Sequence, residues 1–384
     1  MAETPRVAIV GAGIGGLAAA IALRHAGVNV QVYEQVRQFE RVGAGLQLAP
    51  NATAALAGLG LLPAARRDAT APIAWHSYDA HTGALDRAEP LGDAVADHFG
   101  SPYLHIHRGD LHALLAEAAH DHVVVHQNRR LSDVDIDGSG VRLGFTEGPP
   151  VHADAVIGAD GIHSTVREIL WGREEPRFAG MVAYRGLIAA ERVDDLGVPR
   201  VAAKWWASDR HLVHYWVSGG RELNYVAPVP ATDWTEESWL AKGSVPDLVD
   251  ALGDFAPAVP RLLARGETVF RSALYDRDPL RRWTTGAVTL LGDAAHPMLP
   301  FMAQGAAMAI EDAVVLARCL HGASVEELPA ALARYERARI ARTTAMQDVS
   351  RANTFLRNEN PDTATLPVEE VYRYAPWTVD LIGQ

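Results

Sequence analysis

The 384-residue chain has a single cysteine, Cys319. It can form neither an intramolecular disulfide nor a cysteine-based metal cluster, and one thiol fits a reducing, cytoplasmic setting. Basic charge is also in deficit, with 35 Lys and Arg against 47 Asp and Glu and a formal net charge of -12. Nucleic acid is therefore excluded as the main partner, since no basic face is available to meet phosphates. No apolar run reaches about 18 residues without a charge, so no membrane span is expected. The histidines are scattered and no His/Asp/Glu set has ligand spacing, so no metal site is expected. The chain has no Gly-x-Ser-x-Gly elbow, which leaves a serine hydrolase unsupported. Repeats and low-complexity segments are lacking as well. What remains is 48% hydrophobic and 21% charged, a globular composition, in a chain long enough for two domains or one with a large insertion.

The most informative stretch is the N-terminus. Val7 to Val10 is a short, β-branched apolar run; Gly11-Ala-Gly13-Ile14-Gly15-Gly16 follows, then an alanine-rich segment to His25. This reads as a buried strand, a glycine turn and a helix. Gly11 and Gly13 permit a tight turn and close backbone approach to a pyrophosphate, and Gly16 permits helix–strand packing. The helix N-terminus adds unpaired N–H groups and partial positive charge. A second run, Val28 to Tyr33, ends at Glu34, 18 residues after Gly16, near the ~20 expected of a ribose-binding carboxylate. A purely structural glycine turn is the alternative. The acid, without an arginine beside it, leans away from a 2′-phosphate, and the motif alone does not separate FAD from NAD.

Further along, Gly43 and Gly45 mark a loop, Asn51 is placed to cap a helix over 52–57, and Asp110 to cap a helix running to Leu115. Val123–Val125 and Val141–Phe145 read as strands of a small antiparallel unit with a turn at Asp137–Gly140. Ala155 to Gly158 is again a buried run, followed by Ala159-Asp160-Gly161 and a helix start; a turn in which Asp160 caps the helix is the alternative reading. From Met181 to about Arg271 strand-like runs dominate, with Gly219-Gly220 as a hairpin turn. Residues 239–263 read as largely helical, broken by proline. Gly286 to Leu291 is a buried strand, Gly292-Asp293-Ala-Ala-His296-Pro297 the loop after it, and 306–320 and 328–356 are helices. The expected organisation is α/β. A discontinuous nucleotide-binding domain takes 1–75, 103–178 and 280–384, including C-terminal helices, and an inserted antiparallel β-sheet domain takes 76–102 and 179–279.

Taken together, Gly11-x-Gly13-x-x-Gly16, Asp160-Gly161 and Gly292-Asp293 with His296-Pro297 and Gln304-Gly305 resemble the single-component (group A) FAD-dependent aromatic hydroxylases, built like 4-hydroxybenzoate hydroxylase. Gly43–Asn51, His107–Leu111, His211–Tyr215 and Met302–Asp312 are most similar to 3-hydroxybenzoate 6-hydroxylases, salicylate hydroxylases and 6-hydroxynicotinate 3-monooxygenases. The resemblance implies a tightly but non-covalently held FAD, NADH or NADPH as transient reductant, and O2 as co-substrate. One oxygen atom enters an activated ring through a flavin C4a-hydroperoxide. The lack of a second glycine fingerprint fits a nicotinamide cofactor that binds only in passing.

The resemblance also assigns roles. Gly11, Gly13, Ile14, Gly15 and Gly16 hold the pyrophosphate; Glu34, with Gln35 beside it, the adenosine ribose; Arg41 and Arg108 lie along the cofactor. Asp160 borders the groove, Asp293 meets the ribityl chain, and Pro297 packs near the reactive edge. The backbone of Gly305 and Ala306 meets the N1–C2=O side of the ring, where a helix N-terminus favours negative charge. His211 and Tyr215 meet the substrate hydroxyl. In a strand they share one face and His214 takes the other; a histidine satisfied by a backbone carbonyl and a packing tyrosine is the plainer reading. Gln47, Arg185, Leu299, Pro300, Phe301 and Met302 line the substrate pocket, and His296 is structural. The 6-hydroxynicotinate enzymes carry histidines where Gln47 and Phe301 stand, and the 3-hydroxybenzoate enzymes a glutamine where Pro300 stands. A small phenolic acid of hydroxybenzoate or salicylate type is therefore the expected substrate, with a hydroxypyridine carboxylate or another aromatic as alternative. A flavin reductase or oxidase, or a flavin-binding protein without hydroxylase activity, is the competing reading. A monomer or homodimer is expected.

Overall fold

The computed structural model describes residues 4–138, 140–232, 241–352 and 366–381. Its first sheet runs in the order Thr284–Thr285, Val288–Leu290, Ala155–Gly158, Arg6–Val10, Asn29–Tyr33, Val124–His126, parallel except for the first pair. Its central strands are apolar throughout, Val7 to Val10 and Ala155 to Ile157 all being buried, in a core shared with helices and with Val134, Val141, Leu143 and Ala153 of a three-stranded antiparallel sheet. The helix Ile14–His25 packs on Gly305–Leu320 within this core. Val123–Val125, expected in the small antiparallel unit, instead supplies the edge of this parallel sheet through Val124–His126. The strand paired with Gly140–Phe145 is Leu131–Asp137, an alternating segment.

The second sheet has eight strands, ordered Lys242–Gly243, Val269–Asp276, Arg177–Ala189, Glu222–Pro230, His211–Val217, Ala202–Trp206, Ala74–Asp79, Leu85–Pro90. It is antiparallel except between Ala202–Trp206 and Ala74–Asp79, which run parallel. Strand alternation sorts its two faces. Tyr184, Leu212, Trp216, Leu223 and Tyr225 form a core with the helices Val245–Ala251 and Ala258–Leu263. Met181 and Ala183, from the other face, pack with Leu299 and Phe301. The site lies on that second face.

Three local expectations change. Asn51 does not cap a helix: Pro50 occupies the first turn of Pro50–Gly58, and Asn51 lies inside it. Asp110 is likewise inside the helix Arg108–His120, capped by His107, whose ring accepts from the Gly109 N–H. Of the expected helical stretch 239–263, residues 239–240 lie outside the described residues, Lys242–Gly243 is strand, and two short helices follow. The helix from 328 is described to Ala352.

A buried ion cluster ties the first domain together. Glu311 and Asp312, fully buried, project from Gly305–Leu320. Arg339 of Leu328–Ala352 lies 2.7 Å from each carboxylate, and Arg342 lies 2.8 Å from Glu311. Asn51 donates to Glu311 at 2.7 Å and to Gln304 at 2.9 Å. Asp312 also accepts from the Gly292 N–H at 3.1 Å and pairs with the His296 ring at 2.6 Å. Removing one charge from such a cluster strands its partners in low dielectric. Arg339→Met is expected to lower the unfolding free energy by about 3–5 kcal/mol, measured by urea denaturation; a loss under about 1 kcal/mol would contradict this role.

Candidate active site

The glycine turn is shaped by contacts that only hydrogen permits. Gly11 has φ +101°, and a Cβ there would lie 2.4 Å from the Ala159 carbonyl oxygen; a Cβ on Gly16 would lie 2.0 Å from the Gly11 carbonyl oxygen. Gly13 caps Ile14–His25 with nothing within 4 Å of its would-be Cβ, and no side chain caps the helix. An open helix N-terminus of this kind accepts a phosphate. Glu34 is 8% exposed, and its carboxylate accepts from the Ala12 N–H at 2.7 Å and the Val36 N–H at 2.9 Å. The acid is thereby fixed beside the glycine loop, with Gln35 exposed next to it.

The remaining expected cofactor residues fall into two groups. Asp293 lies at the mouth of the Gly292–Ala294 turn, open to solvent yet surrounded by protein; burial raises its carboxyl pKa, while His296 and Arg108 pull the other way. Arg108 is half-buried, and its guanidinium makes no hydrogen bond among the described residues. Gly305 and Ala306 begin Gly305–Leu320, again without a side-chain cap, and the Pro297 carbonyl accepts from Gln347 at 3.0 Å. Two residues are engaged differently. Asp160 accepts from the Ser164 hydroxyl and, at 3.1 Å, from the Val166 N–H, so it ties down the helix Thr165–Trp171. Arg41 is held by Asp110, Glu222 and Ser218 at 2.6 to 2.9 Å. In this structure its guanidinium bridges the two sheets' loops instead of offering itself to a phosphate. With Cβ-free turns, two uncapped helix N-termini, a fixed ribose acid and an accessible Asp293, the donor set fits an FAD.

On the substrate side, His211 and Tyr215 open and close one turn of pleat in His211–Val217, each 3% exposed. The His211 ring lies 5.9 Å from Phe301 and 5.6 Å from Trp206, and its Nδ1 has no hydrogen-bond partner among the described residues. Burial, then the nearby Lys204, hold its pKa well below the ordinary value, so the imidazole is neutral and able to accept a proton. His214, on the other face, accepts from Trp205 at 3.1 Å. The Tyr215 hydroxyl is pushed above its usual pKa by burial, against a hydrogen bond with Gln47. Gln47 also accepts from Tyr103 at 2.7 Å. Gly45 lets this assembly close: its would-be Cβ falls 2.6 Å from the Tyr215 ring, and its N–H donates to Asn224 at 2.7 Å. Phe301 is buried, Met302 half-buried and Pro300 exposed. Arg185 is buried on the same sheet face, and burial lowers its pKa to about 10.

Sequence reasoning missed four participants. His105 is buried with neither ring nitrogen hydrogen-bonded among the described residues, and lies 4.3 Å from the Tyr215 ring. Lys204 is buried near His211. Arg339 and Arg342 hold the carboxylates of Glu311 and Asp312 beneath the loop. Alternation in 104–107 and 202–206 carries a faint signal for the first two, while helical spacing gives none for the arginines' distant partners.

A parallel nucleotide-binding sheet meets, across a glycine-lined seam, a sheet face that carries His211 and Tyr215 beside Phe301, the architecture of a flavin-binding enzyme. The chain belongs to the FAD binding domain family, whose model matches residues 4–229 and 262–350. It is 42% identical over 366 residues to 6-hydroxynicotinate 3-monooxygenase of Bordetella bronchiseptica, covering 94% of this chain and 95% of that one. It is 39% identical over 348 residues to a 3-amino-4-hydroxybenzoate 2-monooxygenase of Streptomyces platensis, covering 90% and 87%. A salicylate hydroxylase substrate complex superposes with a TM-score of 0.82 at 27% identity, covering 98% and 96%. The protein is an FAD-dependent aromatic monooxygenase that uses NAD(P)H and O2.

Two measurements probe the site. Gly16→Ala should yield folded protein with about a tenfold or greater loss of bound flavin, read from visible absorbance, because the new methyl collides with the turn; full flavin content would refute the cradle. The second is pH dependence. Burial lowers His105 from 6.5 to about 3 and His214 to about 4. These folded values lie below the unfolded one, so the unfolded chain binds more protons at acid pH. Stability is complete above about pH 6.5 and is lost as pH falls toward 4 and 3. Unfolding free energy should drop by about 2–4 kcal/mol per histidine across that window. His214→Phe should flatten the profile, and an unchanged slope would contradict the assignment.

Proposed function

We propose that the enzyme hydroxylates a small aromatic acid bearing a ring hydroxyl, with His211 as the base for that hydroxyl and Tyr215 as its second contact. The observation that carries this reading is a buried, neutral imidazole whose Nδ1 lacks a partner, set against Phe301 in an otherwise apolar wall. A phenol's pKa near ~10 requires a positioned acceptor before the ring becomes electron-rich. Gly11 to Gly16 and Glu34 would hold the pyrophosphate and ribose of FAD, Arg108 and Asp293 its ribityl part, and the N-terminus at Gly305 and Ala306 the N1–C2=O edge. Bound FAD, reduced by NAD(P)H, supplies the oxygen atom from O2. Leu299, Phe301, Met181 and Ala183 exclude water from the pocket. His211 takes the hydroxyl proton on its imidazole, and Tyr215, steadied by Gln47, orients the oxygen.

The hydroxynicotinate and aminohydroxybenzoate relatives support an aromatic acid, while Gln47 and Phe301 favour a benzoate over a pyridine. The lone, buried Cys319 and the need for NAD(P)H favour a cytoplasmic enzyme acting on a free small molecule as a monomer or homodimer. The test is turnover of hydroxybenzoates, 3-amino-4-hydroxybenzoate, salicylate and 6-hydroxynicotinate in labelled O2, scored by product mass. A labelled product and coupled NAD(P)H use are expected for at least one benzoate. His211→Ala should retain flavin and lower hydroxylation about 10²–10⁴-fold. NAD(P)H oxidation without labelled product would favour a reductase or oxidase, and protein that takes up no flavin a binding protein.

A further inference from the structure

We propose that Lys204 is the anion-recognising residue of the pocket: its ammonium group takes the carboxylate of the aromatic acid whose ring hydroxyl meets His211. This rests on the aromatic-acid reading above. In the ladder between Ala202–Trp206 and His211–Val217, Lys204 pairs with Val213 and Trp206 with His211. Paired residues share a face, as do residues two apart in one strand. Lys204 therefore stands on the face of His211, Val213 and Tyr215, one strand away. It is 2% exposed, with Nζ 3.9 Å from the centre of the Trp206 ring. Lysine is rarely buried this far. A hydrocarbon side chain of the same length would line the wall equally well for a neutral ring, and the aromatic face of Trp206 steadies the ammonium where it is.

The register also decides between the two buried cations of this face. Lys204, Val213, Val226 and Arg185 form one row across four strands. Three strand spacings put about 14 Å between the backbones at its ends. Lys204 borders the strand of His211, whereas Glu222–Pro230 separates Arg185 from it. A ring lying over Val213 with its hydroxyl at His211 has its carboxylate within reach of Lys204.

The test compares wild type, Lys204→Met, Lys204→Arg and Arg185→Met as flavin-loaded proteins. Each is titrated with a hydroxybenzoate that the wild type turns over and with the matching phenol lacking the carboxylate, and Kd is read from the flavin absorbance change. Lys204→Met should weaken the acid about thirtyfold or more and the phenol by less than about threefold. Lys204→Arg and Arg185→Met should keep the preference for the acid. If Lys204→Met does not load flavin, Lys204→Gln against Lys204→Arg gives the same comparison. An unchanged acid-to-phenol ratio, an equal loss for both ligands, or loss of the preference in Arg185→Met instead would overturn the role. A wild type that turns over no aromatic acid overturns the reading beneath it, a result visible before any variant is made.

Discussion

Two adjacent carboxylates in the middle of an apolar helix set the terms for the rest of this molecule. Glu311 and Asp312 have no access to water, and a buried unpaired carboxylate is costly. The chain neutralises them from three directions: Arg339 and Arg342 from a second helix, Asn51 from a third, and His296 with the Gly292 N–H from the loop. Burial alone would raise the Asp312 carboxyl; the His296 and Arg339 charges outweigh it and hold the pKa at about 2. The cluster thus fixes the Gly292–Pro297 loop to the helix whose N-terminus begins at Gly305. Those are the segments that flank the expected flavin ring, so rigidity at the cofactor is imposed by electrostatics one layer beneath it.

The second constraint is the period of two in the inserted sheet. Its far face is committed to a core of Leu212, Trp216, Leu223 and Tyr225. Every polar group on the near face is then either buried against the nucleotide-binding half or available to a ligand. Gly45 lets the two halves meet closely, because a Cβ there would press on Tyr215 and Asn224. The glycines of the first fingerprint make room for a phosphate; Gly45 makes room for the sheet that carries the substrate chemistry.

How far the sequence was legible follows from the range of each interaction. The first strand, turn, helix and Glu34 were readable because their contacts are local or fall at a fixed spacing. The shared face of His211 and Tyr215 followed from alternation alone. Asn51 and Asp110 were misread as caps, since a side chain suited to capping is equally suited to a distant buried partner, and only the fold says which. Asn51 meets Glu311 some 260 residues away. Arg41, placed along the cofactor by resemblance, is likewise bound to distant partners, Asp110 and Glu222 from separate elements. Lys204 went unnoticed because strand alternation gives only a faint signal for a lone lysine, and its burial is a tertiary fact.

The depressed basicity of His211 poses a problem for the proposed chemistry that the same wall resolves. An imidazole held well below its ordinary pKa by burial is a weak acceptor for a phenol near ~10. Burial disfavours the imidazolium, but it also strengthens every remaining charge interaction in the pocket. Arg185, still charged at neutral pH, places positive charge on the face where the ring lies; burial pushes Lys204 well below its ordinary pKa, and pairing with the substrate carboxylate restores its ammonium form; positive charge favours phenolate over phenol. The proton then moves from a substrate already acidified by its surroundings to a base that need only be aligned. Burial makes the histidine a poor base in the empty pocket, and positive charge on the same face makes a strong one unnecessary once an aromatic acid is bound.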